Sequence, residues 1–237
     1  MQAMIFAAGL GTRFKPWTDQ HPKALAPVNG HSLLHRNVAY LQAHGISEVV
    51  VNVHHFADQV ATAVQESGGW GSSIRISDER NEVLETGGGL LKARPLLEGQ
   101  DFLTINVDIL TDLDLGAMMA FHQEQKALIT LAVTNRSTSR YLLFDEQNQL
   151  CGWRNTATGQ ERLPVPKDAL IQKAYSGIAL FNAKVFDLIE QRGKFSLIDV
   201  YLSLAAEQRI LGFDHSGGKL VDVGKPESVA VAEALFP

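Results

Sequence analysis

The chain has 237 residues, of which 45% are hydrophobic and 20% charged, enough for a sizeable core in one to two domains at roughly 150 residues each. A net charge of −5 argues against nucleic-acid phosphates as the main partner, because that role needs a basic surface. No apolar run approaches the ~20 residues of a membrane-spanning helix, and the amino-terminus lacks the basic start and apolar length of a signal peptide. The single cysteine, Cys151, excludes an internal disulfide framework and a cysteine-rich zinc site. A soluble cytoplasmic globular protein is the expectation.

Apolar runs of strand length alternate with longer amphipathic stretches, the pattern of βαβ units. Residues 2–8 read as a first strand, apolar throughout as a strand covered on both faces requires. A polar, proline-punctuated segment follows over 9–29. Leu33, Leu34, Val38 and Leu41 then recur at helical spacing up to Gly45, a natural left-handed stop. Residues 48–53 form a second strand, 58–65 lie in a second helix, and 74–77 form a third strand. A helix begins at 90–97 and is disturbed by Pro95. Residues 102–107 are another buried strand, 115–125 a helix, and 128–133 a strand again. Beyond Asn135 strands are placed at 141–144 and 174–181, with a polar stretch between them, carrying Pro164 and Pro166, that reads as a loop. Helices over 184–191 and 197–207, strands at 210–213 and 219–221, and a closing helix with Pro226 in its first turn complete the chain.

The sum is a three-layer α/β fold, a mixed, mostly parallel sheet flanked by helices. Residues 1–134 make one half and 135–237 a second half on the same sheet, within one domain over 1–237. Sheets of this class bind ligands outside the carboxyl ends of their strands, which selects the loops after Ala8 and after Val107.

In the first of those loops, Gly9 and Gly11 let the backbone approach an anion and turn its N–H groups toward it, with Arg13 and Lys23 as positive charge alongside. Phe14 stands where a dinucleotide fingerprint has its third glycine, and no Gly-Lys-Ser/Thr of a Walker loop is present. An ordinary strand-to-helix turn with solvated basic residues is the competing reading. A second string, Leu84-Glu85-Thr86-Gly87-Gly88-Gly89, places three glycines before a helix, where backbone can come against a flat or anionic ligand or simply turn. The third is Asn106-Val107-Asp108 at the end of a buried strand, a carboxylate placed for the ligand crevice and suited to Mg²⁺. Asp112 and Asp114 after it read as a helix cap or as the Asp-x-Asp of a glycosyltransferase. His54-His55 would face opposite sides of a strand, so a polar strand end is favoured over a metal pair. Cys151 has no neighbour that marks it as a nucleophile and reads as a structural thiol.

The opening resembles the nucleotidyltransferases that join a sugar 1-phosphate to a nucleoside triphosphate. The matching residues are Ala7, Ala8, Gly9, Gly11, Thr12, Arg13, Pro16, Thr18, Pro22, Lys23, Leu25, Pro27 and Val28. The resemblance implies a Rossmann-like fold and a nucleotide held by Ala7, Ala8, Gly9, Gly11, Thr12 and Arg13. It also implies that Arg13 grips the triphosphate and that Lys23 bridges phosphates at the reaction centre. The Leu84–Gly89 string resembles that of bacterial N-acetylmuramic acid 1-phosphate uridylyltransferases, which implies Gly87 beside the nucleotide and Glu85 beside the sugar. Asp108 and Asp222, the latter within Asp222-Val223-Gly224, are the implied metal ligands, with Mg²⁺ as cofactor. Val107 replaces the glycine usual before the first aspartate, and Leu220 and Lys225 replace a tryptophan and a threonine around the second. Asn106, Ser176 and Gly177 are the implied sugar contacts, the last two within Tyr175-Ser176-Gly177-Ile178.

The implied reaction is attack by the phosphate of a sugar 1-phosphate on the α-phosphorus of a nucleoside triphosphate, with release of pyrophosphate. The nucleophile is already an anion near neutral pH, its second pKa being about 6, so no general base is required. Positioning and electrostatics then carry the catalysis. N-acetylmuramic acid 1-phosphate with UTP is the first choice of substrates. Mannose or glucose 1-phosphate with GTP or dTTP, a glycosyltransferase, and a non-catalytic sugar-nucleotide sensor are the alternatives. The partners are thus a nucleoside triphosphate and a sugar 1-phosphate, with neither nucleic acid nor membrane; the oligomeric state is not legible.

Overall fold

Strand β1 (Gln2–Phe6) runs through the middle of the sheet in the computed structural model, which describes residues 1–97 and 99–237. From Ala3 to Phe6 its side chains alternate between two cores, and that is why this run is apolar. Short strands β2 (Pro27–Val28) and β3 (His31–Ser32) lead into α1 (Leu33–Ala43). The Ser32 hydroxyl accepts the His35 N–H at 3.1 Å and caps that helix, which stops before Gly45 at φ 76°. The chain continues through β4 (Glu48–Val53), α2 (Ala57–Glu66), β5 (Ser73–Asp78), α3 (Glu85–Leu97), β6 (Phe102–Asn106) and β7 (Ile109–Thr111). Next come α4 (Leu115–Glu124), β8 (Ile129–Thr134), β9 (Arg140–Phe144), β10 (Leu150–Asn155), β11 (Gln160–Arg162) and β12 (Ile171–Phe181). The chain closes with α5 (Val185–Leu188), α6 (Leu197–Leu204), β13 (Ile210–Asp214), β14 (Leu220–Asp222) and α7 (Glu227–Leu235).

The main sheet has the order β11-β10-β9-β12-β6-β1-β4-β5, with β8 pairing β12 and β13 off that path. β1 is parallel to β4 and β6, and β4 to β5, so their carboxyl ends lie along one edge. Strand β12 runs antiparallel to β6, β8 and β9 and joins the two halves of the chain on one sheet. Ala3 and Ile5 share a core with Leu34 and Val38 of α1, Val60 of α2 and Met118 of α4. Met4 and Phe6 share the other with Leu90 of α3, Phe186 of α5 and Tyr201 of α6. Each such side chain contributes about 1.5–3 kcal/mol when fully buried, so packing on both faces holds the sheet. The three-layer, mostly parallel α/β architecture is the one read from the sequence.

Local departures have physical causes. β1 ends at Phe6, two residues early, because the Ala7 and Ala8 N–H groups leave the ladder for a side chain. Helix α3 starts at Glu85 and takes in all three glycines, which therefore belong to the helix and do not precede it. Each glycine costs about 1 kcal/mol relative to alanine in a helix, a local penalty that here is offset by close packing. The polar stretch expected as a loop holds β10, which pairs with β9, and β11, which pairs with β10. Leu150 and Cys151 of β10 are buried, whereas β11 is wholly exposed and gives no hydrophobic signal. The three residues of β7 are too few to show a period, and they pair with β14.

Candidate active site

The loop after β1 is shaped by its own polar atoms. Asn52, at the end of β4, accepts the Ala7 and Ala8 N–H groups at 2.7 and 3.3 Å on Oδ1. Its Nδ2 donates to Glu79 Oε1 at 2.8 Å. Glu79 is 1% exposed, and burial pushes its carboxyl above the ordinary value, with the Asn52 hydrogen bond opposing the shift. Gly11 has φ 61°, and a Cβ there would meet Thr18 Cγ2 at 2.8 Å, so both the turn and its packing require glycine. The Thr18 hydroxyl donates to the Gly11 carbonyl at 2.9 Å and closes the loop. Short helical turns at Thr12–Phe14 and Lys23–Leu25 then set Arg13 and Lys23 on the same loop.

Four charges from both halves of the chain meet beside this loop. Lys23 Nζ pairs with Asp108 Oδ2, both side chains being largely buried at 13% and 15% exposure. Asn37, buried on α1, donates to the Val107 carbonyl at 2.9 Å and fixes the turn that presents Asp108. Val107 itself is buried in the core. The β7–β14 ladder sets Asp222 opposite Ile109, and the Val223 N–H donates to the Asp108 carbonyl at 2.8 Å. Burial and then the neighbouring Asp108 charge push the Asp222 carboxyl up, opposed by Lys23, Arg13 and Arg136. A Cβ on Gly224 would lie 2.7 Å from Asp222 Oδ1 and 3.1 Å from Arg13 Nη2, so the exposed Arg13 guanidinium reaches the same corner. Two carboxylates with hard oxygen atoms, flanked by two cations, suit a small divalent ion that shares its remaining ligands with phosphate.

Two clefts open on either side of the Phe6–Gly9 segment. One, of 180 Å³, is lined by Ala7, Gly9, Lys23, Thr86, Asn106 and Asp108 among others. The other, of 160 Å³, is lined by Ala8, Gly9, Asn52, Glu79, Glu85 and Thr86 among others. Sequence reasoning placed Ala7, Ala8, Gly9, Arg13, Lys23, Glu85, Asn106, Asp108 and Asp222 around this region, and the fold brings them together. Gly177 of β12 packs against Asn106, its Cβ position being 2.9 Å from Nδ2. Thr12 is exposed on its turn.

Two expected contacts take a different form. The Gly87 N–H is donated to the Phe195 carbonyl at 2.9 Å and Gly87 is buried, so its amide is not open to a ligand. Ser176 is fully buried, and its hydroxyl is hydrogen-bonded to the half-buried His215 Nε2 at 2.8 Å. Asn37, Asn52 and Glu79 were missed. The available signal was a polar residue inside an apolar strand, since Asn52 interrupts Glu48–Val53.

The weaker candidates resolve as structure. Asp114 Oδ1 caps α4 by accepting the Ala117 N–H at 3.0 Å, while Asp112 Oδ1 accepts the Lys219 N–H at 2.7 Å. His54 Nδ1 is bonded to the Glu79 carbonyl at 2.7 Å and His55 lies on Phe56, so they form no pair. Cys151 is buried, and burial pushes its thiol up, away from the thiolate form.

The nucleotidyl transferase family pattern matches residues 2–235. An N-acetylmuramate alpha-1-phosphate uridylyltransferase of Neisseria meningitidis is 32% identical over 243 residues, covering 99% of this chain and 98% of that protein. One of Caulobacter vibrioides is 33% identical over 240 residues, covering 98% and 95%. In three dimensions the chain resembles HddC from Yersinia pseudotuberculosis, with a TM-score of 0.79 at 22% identity over 100% of this chain and 99% of that one. No helix among the described residues is long and apolar enough to cross a membrane.

Proposed function

The chain belongs to the nucleotidyl transferase family and is a sugar 1-phosphate nucleotidyltransferase, and from that premise we propose that it joins N-acetylmuramic acid 1-phosphate to UTP. A non-bridging oxygen of the sugar phosphate attacks the α-phosphorus, a new P–O bond forms, the bond to the β-phosphate oxygen breaks, and pyrophosphate leaves. One observation carries the reading: Lys23, Arg13, Asp108 and Asp222 converge beside two clefts that share Phe6, Gly9 and Thr86. Residues 1–134 supply the nucleotide side of this arrangement, and 135–237 join Glu85 and Asn106 on the sugar side. Arg13 grips the triphosphate, and Lys23 stabilises the charge that builds on the α-phosphate. The cleft bounded by Ala8, Asn52, Glu79 and Glu85 receives the base and part of the sugar. Asn106 and Gly177 approach the sugar from the other side.

Asp108 and Asp222 would hold Mg²⁺, which supplies further positive charge at the phosphates when bound. Lys23 would then exchange its present partner, Asp108, for substrate phosphate. The choice of base and sugar rests on the two full-length relatives, on Leu84–Gly89, and on the methyl of Ala8 in the cleft wall. A difference of one carbon in a pocket is worth about 1–3 kcal/mol, so Ala8 alone does not set the base.

The test is to compare kcat/KM for UTP and GTP, each with N-acetylmuramic acid 1-phosphate and with mannose 1-phosphate, by pyrophosphate release. The expected result is a clear preference for UTP with the muramic acid derivative. A preference for GTP with mannose 1-phosphate would overturn the substrate assignment while leaving the reaction class standing. Release of a nucleoside diphosphate in place of pyrophosphate would indicate a glycosyltransferase.

A further inference from the structure

Strand β12 is not paired evenly along its length. Residues 171–173 are in register with β9, 178–181 with β6, and 174–175 and 179–181 with β8. Ser176 and Gly177 fall in none of these registers. Against β8, residues 176–178 stand opposite the single residue 132, a bulge that bends β12 as it passes the carboxyl end of β6.

The bulge reaches the crevice through its backbone. Gly177 takes φ 76°, and a Cβ there would lie 2.9 Å from Asn106 Nδ2 and 3.0 Å from Ile109 Cγ1. Asn106 lines the same cleft as Lys23 and Asp108, and Ile109 is the partner of Asp222 in the β7–β14 ladder. A displaced bulge would therefore displace, or lose its contact with, the wall on which Asn106 stands.

Since no register fixes Ser176 and Gly177, side chains must help to hold them. Ser176 is fully buried, and its hydroxyl has one partner among the described residues, His215 Nε2 at 2.8 Å. A hydroxyl both donates and accepts, so this bond forms with either tautomer of a neutral ring. The ring is itself anchored. The His215 N–H donates to the Val133 carbonyl at 3.0 Å, continuing the β8–β13 ladder by one residue. Asp214, just before it, pairs with Lys173 Nζ of β12 at 2.6 Å. Arg136 Nη2 also donates to the Tyr175 carbonyl at 3.0 Å, but from an exposed position where water competes. Without His215 a buried hydroxyl is left unanswered, and the bulge is favoured to shift toward another partner.

We propose that His215 is a positioning residue for the sugar 1-phosphate: through Ser176 it pins the β12 bulge and so keeps Gly177 against Asn106. The inference rests on the reading above that Asn106 and Gly177 face the sugar. Ser176 then serves the sugar side as the link between ring and bulge, without touching substrate. The loop after β1, which carries Arg13 and Lys23, contributes nothing to this chain of contacts, so the nucleotide side is independent of it.

The test compares His215→Asn, His215→Gln and Ser176→Ala, with Asn106→Ala as the reference. It measures KM for the nucleoside triphosphate and for the sugar 1-phosphate that the unaltered chain prefers. A glutamine amide reaches as far as the ring Nε2, whereas an asparagine amide ends near the Nδ1 position and falls short of Ser176. Ser176→Ala removes a single oxygen and keeps the fold. The expected result is a sugar 1-phosphate KM raised about ten-fold in His215→Asn and Ser176→Ala, with the nucleotide KM unchanged and His215→Gln close to the unaltered chain. The His215→Asn/Ser176→Ala double variant should be no worse than either single one, because one bond joins the two residues. A purely structural role would lower the melting temperature without separating the two KM values. A sugar KM raised in Asn106→Ala and unmoved in His215→Asn and Ser176→Ala would overturn the pin while leaving Asn106 beside the sugar. A sugar KM unmoved in all of them would overturn the pin together with that placement of Asn106. Equal rises of both KM values would also overturn the proposal.

Discussion

Lys23 carries its charge in a largely buried pair with Asp108, and Asp222 adds a second carboxylate to the same corner. Its removal therefore touches stability as well as turnover. In Lys23→Ala two like charges face each other without their closest cation, and the loss of that charge-assisted bond should cost about 1.5–3 kcal/mol. The rate should fall about 10²-fold or more if the ammonium acts on the transition-state phosphate. Because Mg²⁺ would occupy the position the ammonium shields, adding it should raise the melting temperature of Lys23→Ala more than that of the unaltered chain. Equal shifts in the two proteins would speak against a metal at the carboxylate pair. Gly9 separates catalysis from folding more cleanly. It is exposed, lines both clefts, and has open space around its Cβ position. Gly9→Ala should leave the melting temperature unchanged and raise KM for the nucleotide. An unchanged KM would place the nucleotide away from this segment.

At the scale of the elements, α3 shows how a motif can be read correctly for its place and wrongly for its reason. Its glycines were legible as a site where something approaches closely, but what approaches is the protein itself. A Cβ on Gly88 would lie 2.3 Å from the Gly193 carbonyl oxygen, and one on Gly87 2.3 Å from the Phe195 ring. Neither backbone nor a buried ring gives way easily, so Gly88→Ala should cost about 1–3 kcal/mol by overpacking. It should also raise KM for the nucleotide, because the shifted helix start carries Glu85 and Thr86 into the clefts. Denaturant melts and initial-rate kinetics read both effects; loss of stability with an unchanged KM would limit the glycines to packing. The long apolar runs, β1, β4 and β6, were readable because burial on both faces leaves a continuous signal. Strands β7 and β11 were not, since three residues show no period and β11 buries none of its side chains. Arg13, Lys23 and Asp108 were visible from their loops, and Asp222 from its motif. Asn52 showed only as a polar residue inside an apolar strand, and its partner Glu79 did not show, because a hydrogen bond between residues 27 positions apart has no local pattern.

The buried Asn52–Glu79 bond links β1, β4 and the segment after β5, so its protonation state is felt by the fold as a whole. Burial is the largest influence on Glu79 and raises its carboxyl above the ordinary 4.5, while Asn52, Lys92, the Leu84 N–H and His54 pull it back only in part. The unfolded chain therefore gives up this proton at lower pH than the folded one. Between the two values the folded state holds more protons, and stability falls as pH rises. The contribution from Glu79 is fully present below about pH 4.5 and is lost as pH passes its folded value. Asp78 and Asp214 act in the opposite sense, since hydrogen bonds and nearby cations hold them below their ordinary values and their contribution is lost as pH falls. Glu79→Gln keeps an oxygen to accept from Asn52 and removes the titrating proton. Asp78 and Asp214 are common to both proteins and cancel in a comparison. The melting temperature of the unaltered chain minus that of Glu79→Gln should therefore decline from about pH 4 upward and level off above the folded value. A difference that stays flat, or climbs with pH, would mean that Glu79 is ionised in the fold without penalty and that Asn52 fully compensates its burial.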